Sequence, residues 1–302
     1  MDADSALRAQ PRTSHSLLWH DGREFRAVGD ARMRAGMKAV SSARTSLEEL
    51  AIQYLRFRGN VHLRGRAPAD ALYMLYSATR QEHIDSSAYL EFLGESLRCA
   101  QRYDVVPLFQ LQDEVRKLPE ALRSIEAHGI PGVEGFVHFV KFGNPAQSRV
   151  SLNVPTERLM DITERLAALI DQEGSPMRAF KVQCPVDDGR KDVVVIYLDT
   201  DSVAVARALA TGLTAEFRLN PETPAGMQRL SPGVGFAHDK EGTSHGAVRC
   251  ACIAEAVEAL DSHTRLFETT VEEAGQLLLD RFLPAALERA GVDPLLPHKY
   301  VG

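Results

Sequence analysis

Residues 180–200 read FKVQCPVDDGRKDVVVIYLDT. The run VVVIYL is continuous, β-branched and aromatic, and such a run makes a strand that will be buried. FKVQ ahead of it alternates, and VDDGR between the two holds the residues of a tight turn. The spacing predicts strands over 177–182 and 192–198, joined as an antiparallel pair. Lys181, Arg190 and Asp192 stand at the strand ends. Charges at the rim of a buried strand are costly unless they meet one another or a ligand.

Downstream, a helix is expected over 202–217, then a long irregular connection over 218–246, then a helix over about 247–260 and a last one over 270–290. The connection ends in LSPGVGFAHDKEGTSHGAVRC and delivers His238, Ser244, His245 and Arg249. Arginine and lysine beside a Gly-rich loop are chemistry suited to a phosphate. Upstream, GFVHFVKF alternates with period two and reads as a strand, with SRVSLNV after it as a possible hairpin partner. A helix follows over 155–172, with Leu159, Ile162, Leu166, Leu169 and Ile170 on one face.

Before Gly129 the pattern is helical. Helices are expected over 31–58, 86–100 and 112–127, and Ser46 with Glu49 resembles a capping box. GIPGVEG, from Gly129, is a turn-rich joint. The expected fold class is α+β, with a variable segment at 1–30, a mostly helical part at 31–130, and a mixed, largely antiparallel part at 131–302 that carries the site.

The chain has 302 residues, 44% hydrophobic and 25% charged, with a net charge of -6 and a pI near 6.0. These values argue against general binding to nucleic acid or to anionic membranes. No apolar stretch reaches the roughly 20 residues of a membrane span. The four cysteines, Cys99, Cys184, Cys250 and Cys252, form no disulfide framework and fit a reduced, cytoplasmic setting.

Several segments, in order, resemble the HopA family of bacterial type III effectors and its biosynthetic relatives. They are AIQYLRFRGN, RVSLNVP with the helix after it, AFKVQ, RKDVVVIYL and the LSPGVGFAHDKEGTSHGAVRC loop, together covering about 45–265. The family pattern has glutamate and phenylalanine where this chain has His238 and His245. Relatives in lanthipeptide and thioamitide gene clusters are similar to lyases. They remove phosphate from phosphoserine or phosphothreonine in a ribosomally made precursor peptide with a leader, and leave dehydroalanine or dehydrobutyrine. The resemblance thus implies a phosphopeptide substrate, a separate kinase-like partner and no metal or cofactor. It equally admits an effector-like or accessory protein that binds without catalysis.

Phosphate elimination needs a base for the Cα proton and cations for the phosphate; an acid serves the departing oxygen. With the resemblance, Lys181 is the candidate base; on pattern alone it also fits a solvated strand face. Arg149, Arg190 and Arg249 are the phosphate candidates, with Lys191 an alternative to Arg190. Asp192 would orient Arg190 or Lys181, or serve only as a turn carboxylate. Asn153 and Ser244 are further phosphate donors, and each is also placed to cap a helix. His245 is preferred over His238 as the acid. Zinc on His238, His245, Cys250 and Cys252 is disfavoured, because Cys-x-Cys on a helix points its thiols apart; the two cysteines read as small core residues.

Overall fold

The computed structural model describes residues 18–20, 25–27, 31–58, 67–77, 84–111, 114–132, 135–141, 145–186, 190–240, 243–265 and 269–301, with side chains from residue 42 onward except at 57, 271 and 272. Strands β1 (Leu18–His20) and β2 (Phe25–Ala27) pair with each other. Helices α1 (Ala31–Phe57), α2 (Pro68–Ser77) and α3 (Ser86–Arg102) follow. The hairpin β3 (Val106–Leu111) and β4 (Glu114–Lys117) leads into α4 (Leu118–His128). Next come β5 (Gly135–Val140), β6 (Ser148–Leu152), α5 (Leu159–Asp171), β7 (Met177–Gln183), β8 (Val194–Leu198) and α6 (Val203–Glu216). The chain continues with β9 (Gln228–Ser231), β10 (Val234–His238), α7 (His245–Thr264), α8 (Val271–Leu277) and α9 (Leu283–Arg289). A π-turn over Leu278–Phe282 joins the last two helices.

The fold is α+β, with a mostly helical N-terminal part. Eight strands form one sheet in the order β4-β3-β5-β7-β8-β6-β10-β9, antiparallel at every pairing. β7 and β8 pair as expected. β5 and β6 do not: β5 lies between β3 and β7, and β6 between β8 and β10. The expected helix over 112–127 is shorter, because β3 and β4 precede it and join the sheet. The irregular connection over 218–246 contains β9 and β10. Ser46 and Glu49 cap nothing, since α1 runs through them. The Ser46 hydroxyl instead donates to Ala43 O and accepts from Gly226 N at 3.1 Å. The expected helix stop at Gly59–Asn60 and the centre of the VDDGR turn lie outside the described residues.

Alternation sorts the sheet into two unlike faces. Phe139, Phe180, Ile196, Val150 and Phe236 are cross-strand neighbours in one row, all buried, and Phe139 stacks on Phe180 at 4.6 Å. This face packs on α3, α4, α5 and α6, whose apolar stripes complete the larger core. The adjacent row reads His138, Lys181, Val195, Ser151 and Gly235, and it points the other way. Arg149, opposite Tyr197, shares that second face. A smaller core formed by α1, α2, α7, α9 and the π-turn lies beside it. Polar side chains are therefore held between the sheet and the α2/α7 layer.

Candidate active site

Strand alternation puts Lys181 on the polar face, partly buried, with its ammonium 4.3 Å from the centre of the Phe136 ring. Among the described residues it makes no hydrogen bond or ion pair. Burial pulls its pKa below the ordinary lysine value; Arg190 and Arg149 act in the same direction, and Asp192 and Tyr73 oppose them. Desolvation and like charge are the two means by which a lysine becomes a usable base.

Arg190 and Asp192 lie just ahead of β8, 3% and 8% exposed. Arg190 Nε donates to Asp192 Oδ1 at 2.5 Å, and Nη2 lies 3.4 Å from the Tyr73 hydroxyl. The guanidinium also sits 4.8 Å over Phe136, sharing that ring with Lys181. Phe136 is thus the apolar floor for both cations, and cations on an aromatic face gain from its quadrupole. Tyr73 comes from α2, where it stacks on the buried Tyr76 at 5.7 Å. Gly246 of α7 lets these rings approach: a Cβ there would lie 2.5 Å from Tyr76 Cε1 and 3.1 Å from Tyr73 Cε2.

Arg149 stands two strands away on the same face. It pairs with Asp239, donates to Thr243 O at 3.1 Å and lies 5.3 Å over the Tyr197 ring. Burial works against its charge, and Tyr197 and Asp239 outweigh it, so its pKa is raised. Arg249 is fully buried in the second turn of α7. Nε donates to Pro297 O at 2.9 Å and Nη1 to the Tyr300 hydroxyl at 2.6 Å, while Nη2 has no partner among the described residues. His245, in the first turn of α7, is 1% exposed, and both ring nitrogens are unpartnered among the described residues. Burial, then Arg249, Arg149 and His298, hold its pKa well below the ordinary value. That shift disfavours the protonated imidazolium.

The structure gathers Lys181, Arg190 and Asp192 at one end of the face, and Arg149, Arg249 and His245 towards the other. Ser244 and Asn153 join neither group by a hydrogen bond among the described residues. Ser244 is exposed and caps α7, accepting from Ala247 N. Asn153 caps nothing: its amide donates to Glu222 O and accepts from Asn220, which fastens the connection before β9. His238 ends β10 against the His298 ring, 6.4 Å away. Cys250 and Cys252 are core residues, and burial pushes their thiols up to about 12 and about 11. The residue missed in the sequence is Tyr73. Its only mark there is the spacing of three to Tyr76, which reads as an ordinary core stripe on a short apolar helix.

The HopA1 effector protein family matches residues 138–299, which runs from within β5 to the segment after α9. Two solved structures share the fold. An effector protein from Pseudomonas syringae pv. syringae strain 61 is 20% identical, with a TM-score of 0.64 over 87% of this chain and 99% of that one. An effector protein from Pseudomonas syringae pv. tomato strain DC3000 is 22% identical, with a TM-score of 0.63 over 88% of this chain and 100% of that one. A comparison with curated proteins returns no match. Among the described residues, no helix is long and apolar enough to cross a membrane. The match over more than half its length places the chain in the HopA1 effector protein family.

Proposed function

We propose that this chain is a phosphoserine/phosphothreonine lyase acting on a kinase-phosphorylated precursor peptide in the cytoplasm, in the manner of the lanthipeptide and thioamitide relatives. One observation carries the reading. Lys181 is a partly buried amine without a hydrogen-bond or ion-pair partner among the described residues, its lowered pKa favours the neutral form that can accept a proton, and a buried arginine shares its aromatic floor. In the reaction Lys181 Nζ takes the Cα proton. The C–H electron pair becomes the Cα=Cβ bond. The Cβ–O bond breaks, and its electrons leave with the phosphate. Arg190 bears the charge growing on the phosphate, and Asp192 fixes the guanidinium plane. Arg149 lies further along the same face, placed for a second anionic group of the peptide or for the phosphate as it departs.

A binding protein without catalysis is the rival, and one observation favours it. Arg190 and Arg149 already have carboxylate partners in Asp192 and Asp239, so these two guanidiniums are charge-paired without ligand. Mass spectrometry of a phosphopeptide incubated with the purified chain separates the readings. The lyase gives a product lighter by one phosphoric acid. A product that regains the hydroxyl identifies a phosphatase, and an unchanged but bound phosphopeptide identifies the binding protein.

A further inference from the structure

Elimination from a phosphate ester leaves a basic oxygen, and the histidine expected to protonate it does not fit the task. Burial holds the His245 pKa below its ordinary value, and the charges that bear on it are those of Arg249, Arg149 and His298, not Lys181. His238 lies at the far end of β10, against His298. Tyr73 is different. Its hydroxyl is 3.4 Å from Nη2 of Arg190, and it lies close enough to Lys181 to bear on that lysine's titration. It is partly exposed, whereas the Tyr76 ring beneath it is buried and fixes its direction. A phosphate held by Arg190 is thus placed beside a phenolic O–H, with the base over the same Phe136 ring as the arginine.

We propose that Tyr73 is a catalytic residue of this site: its phenol donates the proton that the departing phosphate oxygen takes up as the Cβ–O bond breaks. This rests on the lyase reading above. The proton balance is then complete. Lys181 gains the Cα proton, Tyr73 loses one to the phosphate, and transfer from the lysine ammonium to the phenolate, directly or through water, resets both groups. Lys181 and Tyr73 form a base–acid pair contributed by the sheet and by α2, and Arg190 lies between them. The sequence gives no separate acid motif because the acid arrives on a helix about a hundred residues upstream of the base.

The test compares two probe peptides of one sequence. One carries phosphoserine; the other carries phosphocysteine, which keeps the phosphoryl group but leaves as thiophosphate, a weaker base. Tyr73→Phe should lower the single-turnover rate on phosphoserine by about 100-fold, and by much less on phosphocysteine, with phosphopeptide affinity within a few-fold of wild type. Lys181→Ala should lose both substrates alike. Equal loss on the two peptides would make Tyr73 a positioning residue for Arg190 and overturn the proposal. So would an unchanged rate on phosphoserine, a loss of affinity that accounts for the loss of rate, or refusal of phosphocysteine by the wild type. If the wild type eliminates from neither peptide, the lyase reading itself falls, which sets that failure apart from a failure of Tyr73 alone.

Discussion

Lys181 and Asp192 show how far single residues can be read. Alternation in FKVQ placed Lys181 away from Phe180 and Val182, and the structure has both of those in the core with the lysine on the opposite face. Ser244 and Asn153 were not legible as they stand, because short polar side chains have several backbone partners within reach. Two predictions belong here. Lys181→Ala should reduce single-turnover elimination by about 100- to 10,000-fold while phosphopeptide still binds, since the base acts on the Cα proton and not on the phosphate. Rapid-quench kinetics beside an affinity measurement would decide it; wild-type rates in the variant would send the search for a base elsewhere. Asp192→Asn leaves Arg190 in its nearly buried place without its carboxylate. Breaking a buried pair costs about 3–5 kcal/mol, so the urea midpoint should drop clearly, and an unchanged midpoint would mean that Arg190 is well served by its other contacts.

At the level of elements, long periodic stretches were readable and short irregular strands were not. Helices α3, α5 and α6 and the β7–β8 pair lie where apolar spacing put them. β3 was hidden by Pro107, and every residue of β4 is exposed, so the strong helix formers of LPEALRSIEAH dominated that window. β10 was hidden by its glycine. Gly235 is there because a Cβ would lie 2.7 Å from Thr223 and 2.9 Å from the Met227 sulfur. Gly246 has a like role between helices. Gly246→Ala forces α7 away from the Tyr73–Tyr76 pair, and overpacking of this kind costs about 1–3 kcal/mol. The expected result is a lower thermal midpoint together with loss of elimination, as Tyr73 is carried off Arg190. Thermal melts and turnover on the same preparation test this; full activity with unaltered stability would show that α7 yields to the methyl and leaves Tyr73 in place.

Across the whole molecule, acid sensitivity is set by histidines that the fold keeps neutral. Burial, aided by Lys181, lowers His138 to about 3; burial, aided by Lys299, lowers His298 to about 3; His245 and His238 are shifted the same way. With folded pKa values depressed, the unfolded chain takes up protons first as pH falls. Stability is therefore complete above the unfolded value of about 6.5 and is lost progressively below it, at up to ~1.4 kcal/mol per pH unit for each histidine. Urea unfolding at pH 7.5 and pH 5 should show the lower midpoint at pH 5, and coincident curves would contradict the neutral assignment. The order of helical and alternating patterns foretold the fold class but not the strand order, because nothing local in RVSLNV says which strands will flank it.

β6 enters the sheet between β8 and β10, two strands that both follow it in the chain. During synthesis, Ser148–Leu152 therefore waits with both edges open until residues 194–198 arrive, and with one edge open until residues 234–238 do. Every side chain of that strand is buried in the finished protein. Until then it is a short strand with unmet backbone donors and acceptors, the kind of segment that seeks a partner in another chain. The non-local pairing that brings Arg149 to the same face as Lys181 is thus also the slow, association-prone step of biogenesis. Yield of the intact protein will depend on how long that edge stays open, and not only on how stable the finished sheet is.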